Sequence, residues 1–345
     1  MLVRLIALAL VMACLPSPAD AWRRSPATTA ATLPEGTAHP EGLTVDHDGN
    51  IWVADFDVSK ASGPGDVIAF APSGRLLRVI HPTGSSALLL GLAFHPTTGA
   101  LLVIDFGSGK VLDVDPFDGT ATTFMTAPSL GGGTPGLNAL TFDADGNVYV
   151  SDSFQGAIFK TGPNGGSPTT WFQSDALLKP NGVPPFGANG LAFNNAGTAL
   201  FVANTANDTV VRIPKKNDGT ADAAGAGVFV NSINGADGLL IDDDDNLWVC
   251  ANQSDEIVVV DPTGRAIAKL GDFDGIDPRG SPNGLLFPAS LAFSRNGDFL
   301  YVSNLSLDLR VAVGATAVDS AWTAQVTRHT IAKIPARIPP VPGLP

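Results

Sequence analysis

The chain has 345 residues, with 20 Lys and Arg against 33 Asp and Glu, a net charge of −13 that excludes nucleic acid and anionic membrane surfaces as natural partners. Hydrophobic residues make up 44% and charged residues 15%, which excludes a disordered chain, and 38 Gly with 27 Pro favour many tight turns over long helices. The first segment, residues 1–21, reads as a secretory signal peptide. Arg4 gives a basic start, Leu5 to Ala13 a short apolar core, and Ala19 to Ala21 a small-x-small cleavage site. The apolar run is too short to span a bilayer, and no other segment is a candidate membrane span. A secreted or periplasmic protein is expected. "VMAC", ending at Cys14, offers a weaker lipoprotein reading, because Met12 is unusual there. With the leader removed only Cys250 remains, so no intrachain disulfide is expected, and its apolar neighbours mark an inert core thiol.

From Glu41 onward one unit recurs six times. The copies begin "EGLTVDHDGNIWVAD" at Glu41, "LGLAFHPTTGALLVID" at Leu90, "NALTFDADGNVYVSD" at Asn138, "NGLAFNNAGTALFVAN" at Asn189, "DGLLIDDDDNLWVCAN" at Asp237 and "ASLAFSRNGDFLYVSN" at Ala289. A period near 50 with short alternating strands predicts an all-β, six-bladed β-propeller of four-stranded antiparallel blades over residues 39–336. The sixth copy has no fourth strand; only a Pro-rich tail, 337–345, follows "HTIAKIP". Within the N-terminal segment 22–38, residues near Ala27 to Leu33 are expected to supply that strand and close the ring, removing a sheet edge. The alternative is a free N-terminal tail.

"DHDGN", "DADGN" and "DDDDN" fall in the turn between the first two strands of a blade. They supply the positive-φ residues of tight hairpins and lack the spacing and the late Glu of an EF-hand. The informative position is the one just before the first strand: Glu41, Leu90, Asn138, Asn189, Asp237, Ala289. In a propeller this position rings one mouth of the central channel. Two carboxylates and two amides form an all-oxygen set that suits calcium or magnesium, though the same letters could cap strand starts or bind channel water. A second ring, at the end of the second strand, reads Asp55, Asp105, Asp152, Asn204, Asn252, Asn304. It suggests side chains bonding backbone in the next turn, with Asn204 and Asn252 as candidate supports for the metal ligands.

"EGL", "LNALTFD", "ANGLAF" and "ADGLLIDDDDNLWV" resemble the motifs of the regucalcin/gluconolactonase (senescence marker protein-like) family of six-bladed propellers. The resemblance covers nearly all of the chain after the leader. It implies one divalent metal, calcium or another divalent cation, on Glu41, Asn189 and Asp237, with Asp237 as general base and Asn138 facing the substrate or completing the metal shell. One departure stands out: Gly136 occupies the place of the Arg found in sugar-lactone members. The mouth loops "GGGTPGL", "KPNGVPPFGA" and "RGSPNGLLFP" are rich in Gly, Pro, Phe and Leu, which points to a more apolar lactone or ester. Asn181 and Asn283 within them read as turn residues.

The activity so implied is metal-assisted hydrolysis of a small-molecule lactone or ester by a monomer. No G-x-S-x-G elbow or H-E-x-x-H pattern offers another route. His39, two residues before Glu41, is a candidate substrate-side proton carrier. The competing reading is a secreted, non-catalytic NHL-like propeller that binds a protein or glycan around a structural metal. A lyase resembling the peptide-amidating propellers would need several channel histidines, and only His39 is near the ring.

Overall fold

A computed structural model describes residues 24–338; the expected signal peptide (1–21) and the end of the Pro-rich tail (339–345) lie outside the described residues. Six four-stranded antiparallel sheets make up the fold. Blade one runs through His39–Val45, Ile51–Phe56, Val67–Phe70 and Leu76–Ile80, and blades two to five repeat that order along the chain. The inner strands of blades one to six, His39–Val45, Leu89–Phe94, Leu137–Phe142, Ala188–Phe193, Ala236–Ile241 and Pro288–Phe293, contact one another in cyclic order. Blade six takes Pro288–Phe293, Phe299–Asn304 and Thr330–Pro335 from one end of the chain and Thr28–Thr32 from the other. Thr28 pairs with Lys333 and Thr32 with Thr330, so the N-terminal strand closes the ring and covers what would be an open edge.

Between blades the core is apolar and partly aromatic. The large residue of a second strand meets the first strand of the next blade edge to face: Trp52 on Phe94 at 5.7 Å, Tyr149 on Phe193 at 4.9 Å, Trp248 on Phe293 at 5.3 Å. The acidic turn residues fasten those same rings. Asp46 accepts from the Trp52 indole at 2.9 Å, Asp242 from Trp248 at 2.9 Å and Asp143 from the Tyr149 hydroxyl at 3.0 Å. "DHDGN" is thus a hairpin turn whose first carboxylate holds a core aromatic, not a calcium loop. Cys250 is a buried free thiol in the second strand of blade five.

Two additions break the regularity. A short hairpin, Phe273–Ile276 with Pro282–Gly284, precedes blade six. Residues 305–329 are inserted between the second and third strands of blade six and carry the short helices Leu309–Ala312 and Ser320–Thr323. Among the described residues no helix is long and apolar enough to cross a membrane.

Candidate active site

All six inner strands carry the same irregularity. The pairing register slips by one residue between Pro40 and Leu43, Leu89 and Leu92, Leu137 and Leu140, Ala188 and Leu191, Ala236 and Leu239, and Pro288 and Leu291. Each slip brackets the ring position, so a β-bulge re-aims that one side chain without disturbing the rest of the strand. In blades one, two, four and five the next residue is a glycine, and it has a separate task. A Cβ on Gly190 would meet the Asp237 carbonyl oxygen at 2.5 Å, and one on Gly238 would strike the Ala289 backbone. Without side chains there, neighbouring inner strands approach backbone to backbone and bring their ring residues together.

Glu41, Leu90, Asn138, Asn189 and Asp237 consequently line one cavity, with about 400 Å³ of space continuous with solvent, and all five are nearly buried. Ala289 is not part of its lining. The orientation of the amides follows from their partners. The Ser153 hydroxyl donates to the Ala188 carbonyl at 2.7 Å, and the Thr205 hydroxyl donates to the Ala236 carbonyl at 2.8 Å. Each hydroxyl has then spent its hydrogen and can only accept. It accepts from Asn138 Nδ2 at 3.3 Å and from Asn189 Nδ2 at 3.0 Å. Both amide oxygens are left without a protein donor. Asn252 Nδ2 donates to Asp237 Oδ2 at 2.8 Å, and Gln253 Nε2 holds Asn252 Oδ1 at 3.0 Å. Asp237 Oδ1 is buried with no partner, and no protein donor reaches the Glu41 carboxylate among the described residues.

The floor of the cavity is therefore rich in acceptors, two carboxylates and two amide oxygens, with no cationic side chain among them. Burial, and then the neighbouring Asp237, push the Glu41 carboxyl well above its ordinary range. Burial pushes Asp237 up to about 7, opposed by the Asn252 and Asn189 amides. Two carboxylates held in such a place without a cationic side chain are costly unless a positive charge joins them. Among the described residues no three His, Cys, Asp or Glu side chains converge. The donor set is two carboxylates and two amide oxygens, hard ligands of the kind calcium takes. On the chemistry of these donors and the orphaned Asp237 oxygen, a divalent cation fits.

The second ring behaves differently from its sequence alignment. Pro40 pairs with Asp55, Leu89 with Asp105, Leu137 with Asp152, Ala188 with Asn204 and Pro288 with Asn304, but Ala236 pairs with Ala251. Asn252 thus stands one place further on, at the position of Phe56, Phe106, Ser153, Thr205 and Leu305. That is why Asn252 reaches Asp237. Asn204, in contrast, gives its amide hydrogens to the carbonyls of Leu177 (2.9 Å) and Lys179 (3.2 Å), so it holds a loop rather than a metal ligand. The support for Asn189 is Thr205, which the sequence reading passed over. Asp55 and Asp152 do the backbone work expected of the ring, accepting from Ala38 N at 2.9 Å and Gly136 N at 3.1 Å.

His39 sits behind the wall. Its Nδ1 lies 3.0 Å from the Leu305 carbonyl, its ring meets His329 edge-on at 4.6 Å, and it does not line the cavity. Burial lowers both histidines, His329 to about 3, so both rings are neutral. Asn181 and Asn283 lie exposed in their loops, the first donating its backbone N–H to Asn207 Oδ1 at 2.9 Å and the second its Nδ2 to the Asp274 carbonyl at 3.3 Å. Above the floor the cavity is apolar, bounded by Phe56, Phe186, Phe287 and the leucines of the blade-six insertion.

Residues 185–271 match the SMP-30/gluconolactonase/LRE-like region, a stretch that contains Asn189, Asp237 and Asn252. No curated protein matches the chain significantly in sequence. Among solved structures, a calcium-binding protein, regucalcin, from Agrobacterium tumefaciens strain C58 superposes with a TM-score of 0.62 at 18% identity, covering 92% of this chain and 98% of that one. A gluconolactonase from Xanthomonas campestris gives 0.60 at 14%, over 91% and 98%. Virginiamycin B lyase from Staphylococcus aureus gives 0.53 at 14%, over 81% and 80%. At such identities the likeness is one of fold, and it spans a hydrolase and a lyase. The chain is thus similar to the SMP-30/gluconolactonase/LRE-like family in sequence across blades four and five, and in fold around the whole propeller.

Proposed function

We propose that this protein is a metal-assisted hydrolase of a lactone or ester, exported as the leader suggests and acting as a monomer. Glu41, Asn189 and Asp237 would hold a divalent cation, calcium by its hard-oxygen donors, with Asn138 facing the substrate. The observation that carries the reading is a pair of buried carboxyls with no cationic side chain lining their cavity: Asp237 Oδ1 is without a partner, beside a Glu41 carboxyl that no donor reaches among the described residues. A cation bound there supplies the electrophile that polarises the substrate carbonyl.

The protein's own part is proton handling. Asp237 lines the cavity, keeps Oδ2 fixed on Asn252 and leaves Oδ1 without a protein partner. As a carboxylate it takes a proton from the attacking water while the new C–O bond forms. It returns that proton to the leaving oxygen as the ester bond breaks, so the cycle is balanced. Neutral Asp237 cannot do the first step, and the cation and the proton compete for it. His39, whose Nδ1 is held on the Leu305 carbonyl and which does not line the cavity, is given no part in the transfer.

The test is a panel of lactones and aryl esters assayed with calcium, with chelator, and with Asp237→Ala. Calcium-dependent turnover lost in the variant supports the reading. A fully active Asp237→Ala protein removes the mechanism. Metal binding with no turnover on any substrate favours the NHL-like binding propeller.

A further inference from the structure

In blades two to five the second and third strands are joined by tight turns, as between Asp152 and Ala157 or Asn204 and Thr209. In blade six the same connection runs from 305 to 329. It leaves the sheet across the channel mouth and places Leu305, Leu307 and Leu309 against the cavity, each of them buried. The segment is fastened at several points. Leu305 N–H donates to the Phe287 carbonyl at 3.1 Å, and the Ser306 hydroxyl donates to the Leu286 carbonyl at 3.2 Å. Arg310 reaches the Ser320 carbonyl at 2.9 Å, tying the two short helices together. Thr327 N–H bonds Gly280, and Trp322 meets Phe273 edge-on at 5.4 Å, so the extra hairpin braces the insertion from outside.

The opposite wall is aromatic. Phe186 faces the cavity and is backed by Phe154, stacked on it at 5.8 Å, and by Phe106. Phe154 fills the space beside Gly136, where a Cβ would meet its ring at 2.6 Å, so a side chain at that position would have to displace the ring. Among the described residues the ionisable groups lining the cavity are the two acids of the floor. An anionic substrate would find no cationic side chain on the walls to pair with. A polyol would lose water hydrogen bonds and find no replacements above the floor.

We infer that the blade-six insertion is the specificity element of this site, and that it selects neutral lactones or esters bearing an alkyl or aryl substituent. The carbonyl end sits on the polar floor, and the substituent lies between Leu307 and Leu309 on one side and Phe186 on the other. This inference rests on the hydrolase reading for its chemistry but not for its geometry.

The experiment is a homologous series: γ-butyrolactone, γ-hexalactone and γ-nonalactone, beside glucono-1,5-lactone, with the wild type and Leu307→Ala. We expect kcat/KM to rise roughly threefold to fourfold per added methylene until the wall is filled. In Leu307→Ala the nonalactone-to-butyrolactone ratio should fall about fivefold or more. A flat series, or glucono-1,5-lactone as the best substrate, overturns the inference, and this arm needs no variant. If no lactone turns over, 5-alkyl-2-pyrrolidinones, which resist hydrolysis, are titrated by calorimetry. Affinity that grows with chain length then keeps the apolar selection and removes the hydrolase. Affinity independent of chain length removes both.

Discussion

Two of the buried carboxyl pairs among the described residues, Glu41 with Asp237 and Asp255 with Asp319, are built for different guests. Glu41 and Asp237 open on the cavity, with amide oxygens from Asn138 and Asn189 beside them and an orphaned Asp237 Oδ1. Asp255 and Asp319 face each other at the seam between blade five and the blade-six insertion. Asp255 Oδ1 accepts the Phe287 N–H at 2.7 Å, Asp319 Oδ2 is buried without a partner, and a proton on one carboxyl would relieve the pair. Burial, then the Asp319 charge, push Asp255 up to about 8; burial pushes Asp319 up to about 6. Both pairs bear the same electrostatic cost. Amide oxygens beside the first pair make it a place for a cation, while the second pair is relieved by a proton.

Removing one acid from each pair should break the comparison most sharply. Asp237→Ala should lower hydrolysis by about 10³-fold or more with circular dichroism unchanged, whereas Asp255→Asn should retain most of the activity. The next effect is on stability. Saturating calcium at 100 times its Kd should stabilise the wild type by about 2.7 kcal/mol in thermal melts. Chelator should abolish the gain, and Asp237→Asn should not show it. Because only the ionised acids bind the cation, calcium affinity should fall as pH drops from about 8 to about 6; calorimetry at several pH values would settle the sign.

Two asparagines sharpen the same contrast at smaller scale. Asn252→Ala frees Asp237 Oδ2 and should cost roughly tenfold in activity with little change in melting. Asn204→Ala leaves the Leu177 and Lys179 carbonyls unpaired and should cost about 1–3 kcal/mol of stability with activity intact. The reverse pattern would mean that the register assigned to blade five is mistaken. The smallest effect belongs to the second carboxyl pair. Its folded pKa values lie above those of the unfolded chain, so the folded state holds protons the unfolded state releases, and stability declines as pH rises from about 4 through about 8. In Asp319→Asn the new amide can donate to Asp255. Urea melts should show the variant about 1–2 kcal/mol more stable than wild type above pH 8, with the difference vanishing near pH 4.

The propeller was legible because each blade repeats the same apolar alternation around the same turn. The inner ring was legible because its letters differ where packing alone would keep them alike. The slip at Asn252 has a simple cause. Aligned on the shared Asn and Asp letters, it joins Asn204 and Asn304. Counted from the turn asparagines Asn50, Asn147 and Asn246, the fifth residue is Asp55, Asp152 and Ala251. Strand register follows the turn, since one residue of slip carries a side chain to the other face. Residues 305–329 gave no such handle: they have neither period, and their leucines acquire meaning only where the insertion crosses the mouth. His329 was missed for the same reason, since only the ring closure sets it against His39.

The strand that completes blade six also fixes the order in which the molecule can be finished. Thr28 and Lys333 meet across 305 residues of chain, through a backbone register and a Thr28 hydroxyl bond to the Lys333 carbonyl. Hairpins within blades two to five join near neighbours and can form early, but this last pairing requires the longest loop closure in the protein. The closing strand acts as a clasp: until it is in place, the sheet that carries the insertion has a free edge, and the cap over the mouth has no finished blade beneath it.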